Sequence, residues 1–159
     1  MEQAERVEQD EQATTGTPWH VWGVGILATL WNAFGANDYT QTQMGNRDYF
    51  AMTGFDAQTT DAALRFFGEM PAWADAAWAL GVWGGLAGSI LLLLRSRWAI
   101  AAFAASILGL AGSWIFQLQA TLPPELAAMN NEAMFAVISA IALLLFWYAL
   151  RMRRRGVLR

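Results

Sequence analysis

Four long apolar runs, 19–36, 72–94, 98–116 and 133–150, constrain this chain more than any other feature. A hydrocarbon core about 30 Å thick needs roughly 20 helical residues to cross it at about 1.5 Å per residue. Each run falls in that range, so the sequence predicts an all-α integral membrane protein. The expected architecture is a four-transmembrane-helix bundle with a long outer loop carrying a short amphipathic helix. The membrane domain extends over 18–151. It is preceded by an acidic segment, 1–17, polar enough to be disordered, and followed by a basic tail, 152–159.

The arginines orient the bundle. With four spans, both termini and the connection at Arg95, Ser96 and Arg97 share one side. That side receives Arg6, Arg95, Arg97, Arg151, Arg153, Arg154, Arg155 and Arg159; the other receives only Arg47 and Arg65. By the positive-inside rule the expectation is a bacterial inner-membrane protein with N-in and C-in topology. The basic tail, directly after a span, reads as an anchor beside anionic lipid rather than as a nucleic-acid patch. The first run does not read as a cleavable signal peptide. Its flank carries Glu2, Glu5, Glu8, Asp10 and Glu11, where a signal needs basic residues.

Residue types narrow the chemistry. The chain has no cysteine, which excludes disulfide frameworks, thiolate metal sites and quinone reduction by a cysteine pair. Its one histidine, His20, sits at the start of the first run among tryptophans and reads as an interfacial polar residue. No metal, cofactor or catalytic set is expected. Most of the nine tryptophans, including Trp19, Trp22, Trp31, Trp73, Trp98, Trp114 and Trp147, fall at the ends of runs, where indoles favour the head-group level. Trp78 and Trp83 lie deeper, as packing or as a ligand wall.

Between 37 and 70 lies the one sizeable outer connection. Within it Ala63, Phe66, Phe67 and Met70 recur at helical spacing, predicting a helix over 61–70 with Thr60 or Asp61 as its cap. Pro71 then suits the first turn of the second span. The third connection, 117–132, carries Pro123 and Pro124 and predicts a helical turn.

Every span bears a stripe of small residues, the usual face for helix association in lipid. They run through Gly25, Thr29, Asn32 and Ala36; Ala77, Gly81, Gly85 and Gly88; Ala102, Ser106, Gly109, Ser113 and Gln117; and Glu132, Ala136 and Ser139. Asn32, Gln117 and Glu132 carry their stripes toward the outer mouth. Asp75 enters the second span at the same level, facing a cavity or else pairing at the interface with Arg47 or Arg65. The sequence therefore predicts an outward-facing polar pocket formed by Asn32, Asp38, Asp75, Gln117 and Glu132, walled by Trp78 and covered by the 61–70 helix. The opposite half, at 91–94 and 141–146, has no polar side chain, which argues against a simple channel.

Three stretches, WNAFGANDYT at 31–40, PAWADAAWALGVWG at 71–84 and LLLRSRWA at 92–99, resemble a family of small four-span proteobacterial inner-membrane proteins often labelled "sugar transporter". The resemblance covers most of 18–151 and carries no residue roles with it. Its label points to a small-solute, sugar-like transporter or solute-binding protein; since four helices rarely enclose an alternating-access route alone, such a protein is expected to act as an oligomer through the outward-facing pocket. The chain departs from the three-helix sugar-transporter repeat in lacking a Pro-Asn pair within a span. The alternatives are a non-catalytic accessory subunit of a larger membrane complex and, at lower weight, a lipid-modifying enzyme using Asp38, Asp75 and Glu132. The expected partners are the lipid bilayer and a second copy or a larger membrane complex, with no nucleic acid.

Overall fold

The computed structural model describes residues 17–128 and 132–159, and for Glu132 the backbone alone. The described residues form seven helices and no strand: α1 Trp19–Gln43, α2 Arg47–Met52, α3 Ala57–Gly68, α4 Ala72–Leu93, α5 Trp98–Gln119, α6 Pro124–Ala127 and α7 Glu132–Arg154. Three of them are long and apolar enough to cross a membrane: α4, α5 and the Ala133–Arg154 part of α7. The expectation for the acidic segment before Thr17 lies outside the described residues.

Helix ends follow local chemistry more than hydropathy. The first helix runs on past Ala36 to Gln43, because nothing breaks it until Gly45. There the backbone turns left-handed (φ 62°), and the Asn46 N–H reaches back to the Gln41 carbonyl at 3.0 Å. The expected 37–70 loop is thus largely helical. Its amphipathic helix starts at Ala57 rather than 61, since the Asp56 carboxylate, and not Thr60 or Asp61, accepts the Thr59 N–H at 2.7 Å. Asp61 instead pairs with Arg47 at 2.7 Å on the surface. The helical turn in the third connection forms as α6, opened by Pro124 at its first position.

The long helices run antiparallel to their neighbours. Along the α1–α4 contact, Gly25 faces Leu93, Asn32 meets Ser89, and Tyr39 and Gln43 meet Asp75. Along α4–α5 the register pairs Gly88 with Phe103, Gly84 with Ser106 and Gly81 with Gly109. This is the closest approach in the molecule. A Cβ on Gly109 would sit 2.5 Å from the Ala77 carbonyl oxygen, so only hydrogen fits between the two backbones. Ser106 Oγ donates to the Gly81 carbonyl across the same seam at 2.6 Å. The stripes expected on α4 and α5 are therefore packing faces, with Gly109 the tightest point. Helix α7 leans on α5, where Trp114 Nε1 donates to Ser139 Oγ at 2.9 Å. Trp114 is thus an interhelical donor.

One end of the bundle is knitted shut. His20 Nδ1 and the Tyr148 hydroxyl lie 2.6 Å apart, joining α1 to α7. After α7, Gly156 (φ 71°) turns the chain back. Leu158 is then buried with Val21, Leu92, Phe103, Leu145 and Met152. The Arg159 N–H donates to the Arg95 carbonyl and the Arg97 N–H to the Arg159 carbonyl, each at 2.8 Å. Arg95 takes a left-handed backbone (φ 56°) after α4, a conformation costing a non-glycine residue about 1 kcal/mol. Its guanidinium reaches Thr17 Oγ1 at 2.7 Å. The C-terminal residues are a docked clasp, not only a basic tail.

Candidate functional site

The opposite end holds a cavity of about 320 Å³, within the size range of small-molecule sites. Trp78 of α4 and Phe116 of α5 wall it beside the glycine seam, which stays close as far as Ala77 and Gly112. From α1 the cavity is lined by Asp38 and Thr42, from α4 by Ala74 and Trp78, from α5 by Ser113, Phe116 and Gln117, and from α7 by Met134, Phe135 and Ile138. Phe66, Phe67 and Met70, from α3 and the turn after it, form the cover, and Phe50, Phe55, Leu122 and Leu126 close the flank.

The cover is a small hydrophobic core in its own right. Phe50, Ala63 and Leu126 are buried at its centre, with Phe55, Leu64, Phe66, Phe67 and Leu122 packed around them. Phe67 stacks on Trp78 with ring centres 5.2 Å apart, and Tyr39 meets the same indole edge-on at 4.8 Å. Phe66 lies 5.8 Å from Phe116. Polar ties pin the layer down. Asn46 caps α2 through the Tyr49 N–H, and the Tyr49 hydroxyl then donates to Asp38 Oδ1 at 2.8 Å. Gln58 Nε2 donates to Glu125 Oε1 at 2.9 Å, joining α3 to α6.

Burial, and then the neighbouring Asp38 carboxylate that prefers the neutral phenol, push Tyr49 up to about 12. Asp56 is held below the usual carboxylate range by the Thr59 N–H that it caps. Glu125 is likewise lowered by its own backbone N–H and then by Gln58.

Of the six residues expected in the pocket, Asp38, Trp78 and Gln117 line the cavity. Asn32 does not. Its amide donates to Ser89 Oγ at 3.0 Å and to the Ala28 carbonyl at 2.8 Å, filling the space that Gly85 leaves open on α4. A polar group inside a bundle is satisfied by the nearest helix, and Asn32 serves as interhelical glue. Asp75 also falls outside the lining. It sits between α4 and α1, accepting from Gln43 Nε2 and, at 3.4 Å, from the Tyr39 hydroxyl, and it pairs with neither Arg47 nor Arg65. The Glu132 side chain lies outside the described residues. Trp83 is half exposed on the outer surface and walls nothing.

Sequence reasoning passed over Thr42, Phe116 and Phe135, and over Phe50 and Phe55 in the cover; it placed Phe66 and Phe67 on the covering helix and Ser113 on a packing stripe only. The unbroken helix up to Gly45 was a usable signal, because it places Asp38 and Thr42 one turn apart on one face. Among the described residues no group of three or more His, Asp or Glu side chains is placed to hold a metal ion. Compared with known proteins, the chain matches no family model, no curated protein and no solved structure.

Proposed function

We propose that the chain is a four-span bacterial inner-membrane protein that binds a small, largely apolar solute with one cationic end in its outer cavity. The observation that carries this reading is the lining: among the described residues, aromatic rings surround one carboxylate, Asp38, and it has no cationic partner there. An aromatic wall favours an apolar body and tolerates a cation over its faces, and a carboxylate with one oxygen committed to Tyr49 retains acceptor capacity for a donor. A sugar would need many directional partners. Besides Asp38 the polar lining is Thr42, Ser113 and Gln117, and Ser113 already donates to the Gly109 carbonyl. This argues for an amphiphile over a carbohydrate.

The fourth span in this reading is α1. Its outward face carries Ile26, Leu27, Leu30 and Phe34, all exposed. Its polar groups turn inward or onto its own backbone, as with Asn32 and Thr29. Exposed apolar surface on that scale suits lipid as solvent. N-in and C-in topology follows from the arginines gathered at the clasped end. Where transport accompanies binding, the apolar closed half supports an oligomer supplying the rest of the route.

Titration of the purified protein with 2-phenylethylammonium, with its neutral isostere n-propylbenzene and with glucose tests this reading. The cation is expected to bind best, and Asp38→Asn to weaken it about tenfold while leaving the neutral isostere unaffected. Tighter binding of glucose, or a cation affinity unmoved by Asp38→Asn, overturns it. Reporter fusions after Arg97 and Arg155 are expected to read cytoplasm, and one near Asp56 periplasm.

A further inference from the structure

The clasped end carries a second recess, independent of the outer cavity. On α5, Arg97, Ala101 and Ala104 fall at i, i+4 and i+7, one face of the helix; on α7, Phe146 and Arg153 are two turns apart on one face. The two faces meet in a groove of about 360 Å³ whose lining is almost wholly apolar, with Trp98, Ala101, Ala104 and Phe146 along it and Arg97, at the cap of α5, and Arg153, on α7, among the residues that border it. From Arg97 to Ala104 the groove runs about 10 Å along the helix, the depth of the upper half of an acyl chain.

The arginines around it differ in their commitments. Arg95 is bound to Thr17, and Arg151 lies over the Trp147 ring at 5.3 Å. Arg97 and Arg153 are exposed and form no ion pair among the described residues. Two cations without a carboxylate partner among the described residues, beside an apolar trough, match a phosphodiester carried on acyl chains, whereas a zwitterionic head group would bring its own ammonium against them. We propose that the α5–α7 groove at the basic end is a site for one anionic phospholipid, its phosphate held by Arg97 and Arg153 and one acyl chain laid over Ala101 and Ala104. Basic pockets between transmembrane helices select anionic lipid in this way.

The test is native mass spectrometry of the full chain, delipidated in an uncharged detergent and supplied with dioleoylphosphatidylglycerol or dioleoylphosphatidylcholine. The parent is expected to retain the glycerol lipid in preference to the choline lipid. Arg97→Gln with Arg153→Gln should reduce retention about thirtyfold, roughly fivefold for each guanidinium. Arg154→Gln with Arg155→Gln removes the same charge away from the groove and should leave retention unchanged. Ala101→Leu, an exposed position that folding tolerates, should fill the trough and lower retention with all arginines in place. Equal losses in the two arginine pairs, no preference between head groups, or full retention by Ala101→Leu overturns the site.

Discussion

The two ends of the molecule are built from the same four long helices and have opposite characters. At the basic end α1, α4, α5 and α7 meet at Val21, Leu92, Phe103, Leu145 and Met152, and the chain terminus is folded over them. At the other end Trp78, Phe116 and Phe135 border a cavity, and a separate layer of α2, α3 and α6 covers it. Side-chain size makes the difference. Glycine and serine through the middle of α4 and α5 bring the backbones into contact, whereas the aromatic residues beside that seam border open space. A bundle in lipid gains little from burying apolar surface as such, so where its rings cannot interdigitate it leaves a cavity.

The change with the largest expected effect strikes the seam itself. In Gly109→Leu a branched side chain must enter a space where even a Cβ collides with the α4 backbone. We expect a loss of about 3 kcal/mol or more in detergent unfolding. Gly35→Ala, where a Cβ meets nothing within 4 Å, should cost nothing and raise stability by up to about 1 kcal/mol, because alanine is the better helix former. Equal stability of the two variants would mean that the seam does not anchor the helix pair.

Next in size is the clasp. Leu158 is 5 % exposed within the core of the basic end, and Leu158→Ala should cost about 2 kcal/mol. Hydrogen exchange should quicken around Arg95, Ser96 and Arg97 and leave α3 as it was. Faster exchange at both ends would show that the two halves form one cooperative unit rather than two.

How much of this contrast the sequence disclosed depends on the kind of residue. Hydropathy located the long helices, and small-residue spacing located the α4–α5 face, because both are properties of one helix at a time. The inward direction of Asn32 was legible too, but not its partner. Which neighbour an amide meets depends on the stagger between α1 and α4, and the stagger that sets Asn32 on Ser89 also places Tyr39 and Gln43 on Asp75. Hence two polar residues expected in one pocket are absorbed by helix pairing, while Asp38, nearly two turns further along from Asn32, reaches the cavity. The aromatic cover was foreseen as a helix but not as a core, since Phe50, Phe66 and Leu126 come from three separate segments.

A smaller effect distinguishes the ends by pH. Tyr49 titrates at about 12 in the fold, above the ordinary phenol value, so the folded cover holds the proton more tightly than the unfolded chain does. By linkage, the stability it contributes is complete below about pH 10 and drains away as pH rises through about 12. Loosening of the cover in that window, followed by exchange of α2 and α3, should be absent in Tyr49→Phe. At the basic end the Tyr148 hydroxyl meets His20 and no carboxylate, so any alkaline response there should be the same in Tyr49→Phe as in the parent.

The smallest effect concerns how α7 is held at the cavity end. Next to the cavity its described polar tie to α5 is the Trp114–Ser139 hydrogen bond, supported by the edge-on contact of the Trp114 and Phe135 rings at 5.3 Å. Single interhelical hydrogen bonds in membrane bundles average about 0.6 kcal/mol, because a freed serine simply bonds its own helix, and Ser139 already donates to the Phe135 carbonyl at 2.7 Å. Trp114→Phe should therefore lower stability only by about that amount. Its consequence should be local: Phe135 borders the cavity, so the outer half of α7 should swing and solute affinity at the outer cavity change, while the His20–Tyr148 contact keeps the other end of the helix in place. Ligand titration of this variant beside exchange at Tyr148 reads both ends at once. A change confined to the cavity supports independent halves, and a matched change at Tyr148 means that α7 moves as a rigid rod and couples them.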